Sequence, residues 1–524
     1  MERLYDKLKA YSVSDFYAFH MPGHKRNKSL LGIELPYDLD ITEIDGFDDL
    51  HHADGILKEE QERAARVFGA EESHFLVNGS TAGILSAVMG CTRRGDKILV
   101  ARHCHKSIYH AIYMNGLVPR YVYPEFDISM HMNGEISKED VAKALEAEPD
   151  IKAVVIVSPN YDGVVSDVKG IAEVVHSYGI PLIVDEAHGP HFGFHPAFPE
   201  RANDLGADVV INSLHKTLPS LTQTAILHIN GKFANRRRIK KYLDMLQSSS
   251  PSYILMSSID ACIGLLEETQ KEQVQEDESE TYSDARSDCK YKNIFSEYAK
   301  RIEALRKDLK RLKYLKIIQT DHTDRYDRSK FVISVKHAPM SSHELYDILL
   351  HKYHLQMEML AGTYVLAMTT VGDTGEGLNR LRDALLEIDT ELDRRTVKEQ
   401  EKKDLLTDSD LPLSGRQPSL EKVWTIAEAV NCKDAEQCGL RSYENGKDAF
   451  PFGRTGHAEK RTFTDSIGCI SLEYAYLYPP GSPLIVPGER ITKEAVEILH
   501  WYQEHDFSIE GLQSEDGIEV WIDG

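Results

Sequence analysis

The chain has 524 residues, more than one ordinary core holds, and this length points to about three domains. It carries 61 Lys plus Arg against 84 Asp plus Glu, a formal charge of −23 that disfavours nucleic acid and leaves cationic small molecules or other proteins as easier partners. Its seven cysteines show no C-x-x-C and no paired Cys/His spacing, no apolar run approaches the roughly 18 residues of a membrane span, and Met1–Lys9 lacks the apolar core of a signal peptide; the expectation is a cytoplasmic protein with reduced thiols, no metal and no membrane contact.

From Ser73 to Ile229 short β-branched runs alternate with helical patterns, the signature of βαβ units and a largely parallel sheet. The expected strands are His74–Asn78, Lys97–Ala101, Arg120–Tyr123, Ala153–Ser158, Pro181–Asp185, Asp208–Ser213 and Thr224–Ile229. Ser137 with Asp140 has the form of a capping box before a helix through Leu145, and Asp167 can cap a helix running to Tyr178. After Gly231 the pattern turns helical over Ala234–Gln247 and Tyr253–Glu268, until the charged run from Lys271 to Glu280 breaks it as a surface excursion or disordered segment. A helix over Ile294–Leu312, a strand Phe331–Val335, a helix Ser342–Lys352, a strand Tyr364–Thr369 and a helix Gly377–Leu392 suggest a small α/β domain. Arg394–Asp404 reads as a charged linker, Pro412 to Arg461 as polar with few strand signals, and Cys469–Gly488 as the centre of a final α+β domain. The division expected is an N-terminal segment 1–50, a large domain 51–310 with an insertion at 271–292, a small α/β domain 311–395, and a linker and C-terminal domain 396–524.

The chemistry-bearing residues gather at predicted strand ends. Lys216 follows the apolar strand Ala207–Ser213, and Asp185 ends another apolar run. A lysine there suits a Schiff base to pyridoxal phosphate, and a buried aspartate suits its protonated ring nitrogen. Taken alone, a lysine snorkelling from a strand end and an aspartate capping a loop are the plainer readings. Asn78-Gly-Ser-Thr81 turns a strand into a helix and can seat a phosphate, although a simple N-cap explains it equally well in isolation. His105, after the next strand, can lie on a planar ring or merely cap a helix.

Seven motifs, Phe19-His-Met-Pro-Gly-His-Lys25, Asp49-Leu-His-His52, Asn78-Gly-Ser-Thr81, His103-Cys-His-Lys-Ser107, Asp185-Glu-Ala-His-Gly189, Ser213-Leu-His-Lys216 and Tyr478-Pro-Pro-Gly481, together resemble the bacterial ornithine/lysine/arginine decarboxylases with the aspartate-aminotransferase-like fold. The likeness is strongest to the shorter members that lack an N-terminal wing domain. It implies a pyridoxal-phosphate-dependent fold type I large domain with a mostly parallel sheet, and an α/β architecture throughout. It further implies that Lys216 carries the cofactor, Asp185 pairs with its ring nitrogen, and His105 stacks on the ring. Gly79, Ser80, Thr81, Ser213 and His215 would hold the phosphate, and His188 would sit beside Lys216. His20, His24 and Lys25 are assigned only to the neighbourhood of the site. The implied reaction is decarboxylation of a basic amino acid, arginine slightly ahead of lysine or ornithine, with Lys216 or His188 reprotonating Cα, in a homodimer or dimer of dimers.

Three features bear on rival readings. The strand Tyr364–Thr369 has no arginine, and Arg380 and Arg382 lie on the following helix, which disfavours an aminotransferase; an intact lysine, aspartate and phosphate set disfavours a catalytically silent regulatory paralogue. Candidate acids for the distal substrate group are Glu43, Asp45, Asp48, Asp49 and Glu473. Ser482 stands where the family resemblance leads one to expect a branched apolar residue.

Overall fold

The computed structural model describes residues 2–29, 31–278, 294–318, 325–399, 418–437, 442–444, 447–449 and 456–523. Its centre is a seven-stranded sheet whose strands lie in the spatial order Glu72–Leu76, Ala225–Ile229, Val209–Asn212, Leu182–Asp185, Val154–Val157, Lys97–Ala101 and Val118–Val122. Ala225–Ile229 runs antiparallel to both neighbours, and the other pairs are parallel. Every residue of Leu182–Asp185 and Val209–Asn212 is buried, as expected where helices cover both faces of a parallel sheet. The register sets Val157 beside Asp185 and Asp185 beside Ile211, so the carboxyl ends of three strands open at one level. Ligands of open α/β sheets bind along such an edge.

Helix caps follow local chemistry. Ser137 accepts from Asp140 N at the start of Lys138–Ala147, and Asp167 accepts from Gly170 N at the start of Val168–Ser177. The first strand lies two residues earlier than its sequence pattern suggests. Val77 N donates to Gln247 Oε1 at 2.8 Å instead of joining the ladder, and Asn78 already flanks the helix Gly79–Cys91.

A second sheet, in the order Lys316–Ile317, Lys330–Ser334, Tyr364–Met368 and Met359–Leu360, is wholly antiparallel. Leu345, Leu349, Leu381 and Leu385 from the helices Ser342–His351 and Gly375–Glu399 share its core. Two breaks expected from charge are absent. The helix beginning at Tyr253 continues past Lys271 to Glu278, and Gly375–Glu399 passes through Arg394. Glu, Lys and Gln are good helix formers without apolar periodicity, and Lys271 pairs with Glu267 one turn back at 3.3 Å. The rest of the expected insertion, 279–292, and of the expected linker, 400–404, lies outside the described residues.

The third sheet corrects the reading of Pro412 to Arg461 as strand-poor. Its order is Glu421–Lys422, Glu489–Arg490, Ile470–Ser471, Ile518–Asp523 and Gly456–Arg461, and the last strand pairs along its whole length with Ile518–Asp523. As an edge strand with no buried side chain, Gly456–Arg461 needs no apolar alternation to be held. No helix among the described residues is long and apolar enough to cross a membrane.

Candidate active site

A cavity of about 680 Å³ opens at the carboxyl edge of the large sheet and draws its walls from all three parts of the fold. Asp185 ends its strand 4 % exposed, with Oδ1 accepting from Ala187 N at 3.1 Å. Burial pushes its carboxyl up while the nearby Lys216 opposes that shift, so the site favours a cation facing this carboxylate. Lys216 lies in the short turn Leu214–Thr217 directly after Val209–Asn212. Burial lowers its amine, opposed by Asp185 and then Glu358.

Gly79, at φ +71°, turns the chain into the helix Gly79–Cys91. Asn78 makes no side-chain cap there and the first turn holds no acid, which leaves the helix N-terminus ready for an anion. Ser80 and Thr81 stand on that turn, and Ser80 Oγ shares a hydrogen bond with Ser213 Oγ, both on the cavity wall. His215 Nδ1 donates to Thr224 O at 2.8 Å, which fixes the ring at the same wall. His105 does cap a helix, Nδ1 accepting from Ser107 N at 3.2 Å, and it also lines the cavity. Burial, with Lys216 and Lys106 beside it, holds its ring at about 4, a neutral imidazole suited to lie on a flat ring.

His188 is 5 % exposed and lies between two amines: Nε2 is 3.0 Å from Lys216 Nζ, and Nδ1 is 2.9 Å from Lys330 Nζ. Tyr161 flanks the ring, with centroids 4.6 Å apart, and donates its hydroxyl to Glu358. Asp162 accepts from Tyr364 OH at 2.6 Å, and burial pushes its carboxyl up to about 6. Both acids line the cavity.

The C-terminal part closes one wall in the same chain. Lys106 N donates to Gly481 O at 3.1 Å, and Tyr478, Pro479 and Pro480 line the cavity. Ser482, the residue out of family pattern, donates to His103 O at 2.7 Å and fastens that turn to the large domain. Behind it Arg102, fully buried, pairs with Glu489 at 2.9 Å.

The nine site residues expected from the motifs therefore converge: Gly79, Ser80, Thr81, His105, Asp185, His188, Ser213, His215 and Lys216 all border one cavity. His20, His24 and Lys25 do not border it. His20 bonds to Tyr11 OH at 2.8 Å, while His24 bonds to Asp40 at 3.2 Å and stacks on Tyr37. The acids expected to read the distal group also lie elsewhere. Asp48 accepts from Gly55 N and Leu57 N as a helix cap, Asp49 accepts from His51 N, and Glu473 is taken by Lys433 and Glu519 N. In their place stand Glu358 and Asp162, which sequence reasoning missed along with Lys330 and Tyr161. Asp162 was within reach, since it sits in the turn after a predicted strand on the carboxyl edge; nothing local distinguishes Glu358. Among the described residues no group of three His, Cys, Asp or Glu is arranged to hold a metal.

Chemically, the arrangement can seat an anion at the helix N-terminus, a flat ring against His105, a cation at Asp185 and an electrophilic carbon at Lys216. Comparison with known proteins places the chain among named families. Residues 3–331 match the family Orn/Lys/Arg decarboxylase, major domain. The arginine decarboxylase of Bacillus subtilis is 31 % identical over 503 residues, covering 95 % of this chain and 92 % of that protein. The arginine decarboxylase of Halalkalibacterium halodurans is 30 % identical over 520 residues, covering 98 % and 95 %. In fold, the crystal structure of a lysine decarboxylase from Francisella novicida superposes with a TM-score of 0.76 at 18 % identity, covering 99 % of this chain and 81 % of that one.

Proposed function

The chain belongs to the Orn/Lys/Arg decarboxylase family, a decarboxylase of basic amino acids, and from that premise we propose that it uses pyridoxal 5'-phosphate and acts on arginine. The observation that carries the cofactor reading is the convergence of Lys216, the buried carboxylate of Asp185 and the uncapped helix N-terminus at Gly79 on one cavity. Those three features match an aldehyde, a basic ring nitrogen and a phosphate, respectively.

Lys216 would hold the cofactor covalently, Asp185 would keep its ring nitrogen protonated, and His105 would pack against its ring. Ser80, Thr81, Ser213 and His215 with the Gly79 backbone would hold the phosphate. When bound, the group supplies an electron sink for the pair left at Cα as carbon dioxide departs. Asp185 maintains that sink electrostatically, because a carboxylate in a water-poor site stabilises an adjacent cation strongly. Lys216 Nζ and His188 Nε2, 3.0 Å apart, form the proton source for Cα, and either can reprotonate it.

Arginine is favoured by the two relatives named above and by Glu358. Tyr161 anchors that carboxylate in the cavity, where a guanidinium can engage it through two parallel bonds. Transamination is disfavoured on this chain's own contacts. Arg380 spends its guanidinium on the carbonyls of Tyr353 and His354, and Arg382 on Asp383 and Asn379, so neither serves a substrate carboxylate.

The active unit is a homodimer, alone or paired into a dimer of dimers. Phe16, Phe19, Met21 and Leu31 are 69 %, 89 %, 65 % and 61 % exposed in the segment that carries His20 and His24. Such an apolar stretch suits burial against a second copy. The deciding experiment is to incubate the purified protein with arginine, lysine and ornithine separately and identify the amine formed. The highest kcat/KM is expected for arginine, and a preference for lysine or ornithine would overturn the substrate reading.

A further inference from the structure

Lys330 opens the strand Lys330–Ser334 of the second sheet and is fully buried. The fold makes room for it. Gly163 sits at φ +102°, and a Cβ there would fall 2.8 Å from Lys330 Cγ, so the lysine stem fits only against a glycine in that turn. An apolar side chain would fill the place without the cost of burying a cation. What the lysine gains is His188, whose two ring nitrogens join Lys330 Nζ and Lys216 Nζ.

A ring between two amines restricts where protons can lie. Neutral imidazole has one N–H and one lone pair, and an ammonium can only donate. If both contacts are hydrogen bonds and the ring is neutral, at most one lysine is charged. Burial, reinforced by Lys216, Lys330, His105 and His215, keeps the ring well below its ordinary value and so neutral. The acids then decide which lysine holds the charge. Asp327, Glu358 and Asp162 favour it on Lys330, whose amine burial, with Lys216 beside it, brings down to about 8; Asp185 and Glu358 favour it on Lys216. Of the other groups facing these lysines, Asp327 also accepts from His191 at 3.1 Å, and Tyr161 lies beneath Lys330 Nζ with its ring centroid 5.8 Å away. When Asp185 is engaged by a cofactor cation, Lys216 loses that support and the balance moves toward Lys330.

We propose that Lys330 is a positioning residue: its positive charge holds His188 as the Nε2–H tautomer and thereby keeps Lys216 a neutral amine. Only the neutral amine can bond to the aldehyde carbon, whose oxygen leaves as water. This inference rests on Lys216 being the cofactor lysine.

The test uses cofactor-free full-length protein. Acetylation of Lys216 by acetic anhydride is followed against pH by mass spectrometry in wild type, Lys330→Met and Lys330→Arg, with thermal melts to confirm folding. Lys330→Met should raise the pH of half-maximal labelling at Lys216 by about one unit or more, and Lys330→Arg should keep it near the wild-type value. Superimposable wild-type and Lys330→Met curves would overturn the proposal. If the Met variant does not fold, the 15N-histidine spectrum of the wild-type protein, assigned by difference from His188→Phe, decides: Nε2–H supports the proposal and Nδ1–H defeats it. Covalent cofactor found on another lysine would defeat the cofactor reading instead, and the labelling curve distinguishes the two failures.

Discussion

Replacing Arg102 by methionine should loosen the active site from behind. The guanidinium donates to Glu489 at 2.9 Å, to Leu484 O at 3.1 Å, to Tyr109 OH at 3.0 Å and to Pro483 O, with both charged partners at most 1 % exposed. Methionine fills much of the volume but leaves the Glu489 carboxylate with Val486 N, at 2.9 Å, as a far weaker partner than the lost guanidinium. Breaking a buried pair in this way costs about 3–5 kcal/mol, most of it the uncompensated charge. Unfolding entropy is roughly 2.1 cal/mol/K per residue, so the loss lowers Tm by roughly 3–5 °C if some 500 residues melt together, and by roughly 14–24 °C if about 100 C-terminal residues melt as their own unit. Calorimetry on wild type, Arg102→Met and Arg102→Met/Glu489→Leu separates these cases. The double variant should recover more than half of the loss. The sign with pH is fixed: in the single variant the folded Glu489 carboxyl lies above its unfolded value, so the charge part of the penalty is absent below about pH 4 and grows as pH rises through the folded value, while the loss of the donor to Leu484 O and Pro483 O persists at every pH. Because the same region carries Tyr478–Gly481, the single variant should also raise KM. A single variant that melts like wild type at pH 7, or a double variant no better than the single, would refute this account of the wall.

Asp185→Asn should leave the fold intact and lower kcat by about 100-fold or more, several kcal/mol of transition-state stabilisation, as steady-state kinetics with saturating cofactor would read. Ser80→Ala with Ser213→Ala should weaken cofactor binding roughly tenfold, about the worth of one charge-assisted hydrogen bond, measurable by titrating the cofactor-free protein. Glu186, 2 % exposed, is pushed up to about 8 by burial, so its contribution to stability is present below the unfolded carboxyl value and is lost as pH rises through 8. Glu186→Gln should accordingly melt higher than wild type at pH 9 and no higher at pH 5.

Much of the site was legible because its groups follow strands. Lys216, Asp185 and His105 each sit just past an apolar run, and a parallel sheet gathers such positions at one edge whatever the loops do. The same rule could have brought in Asp162. Lys330 was hidden by its position at the start of a strand in another sheet, where only tertiary packing carries it to His188. Glu358 precedes a two-residue strand and has no local signature. The charged helices past Lys271 and Arg394 misled because periodicity measures burial, and a solvated helix needs none. Gly456–Arg461 was missed for the equivalent reason in sheets: an edge strand held by a partner far along the chain shows no apolar alternation. The N-terminal histidines illustrate a different limit, since a motif can be recognised without revealing its place: His20, His24 and Lys25 do not border the cavity.

The central claim is that Lys216 carries the cofactor. Purified protein loaded with pyridoxal 5'-phosphate should be yellow, bleach on treatment with borohydride, and yield after digestion a single major pyridoxyl-labelled peptide modified at Lys216. Labelling centred on any other lysine, or no stable label after reduction, would contradict it.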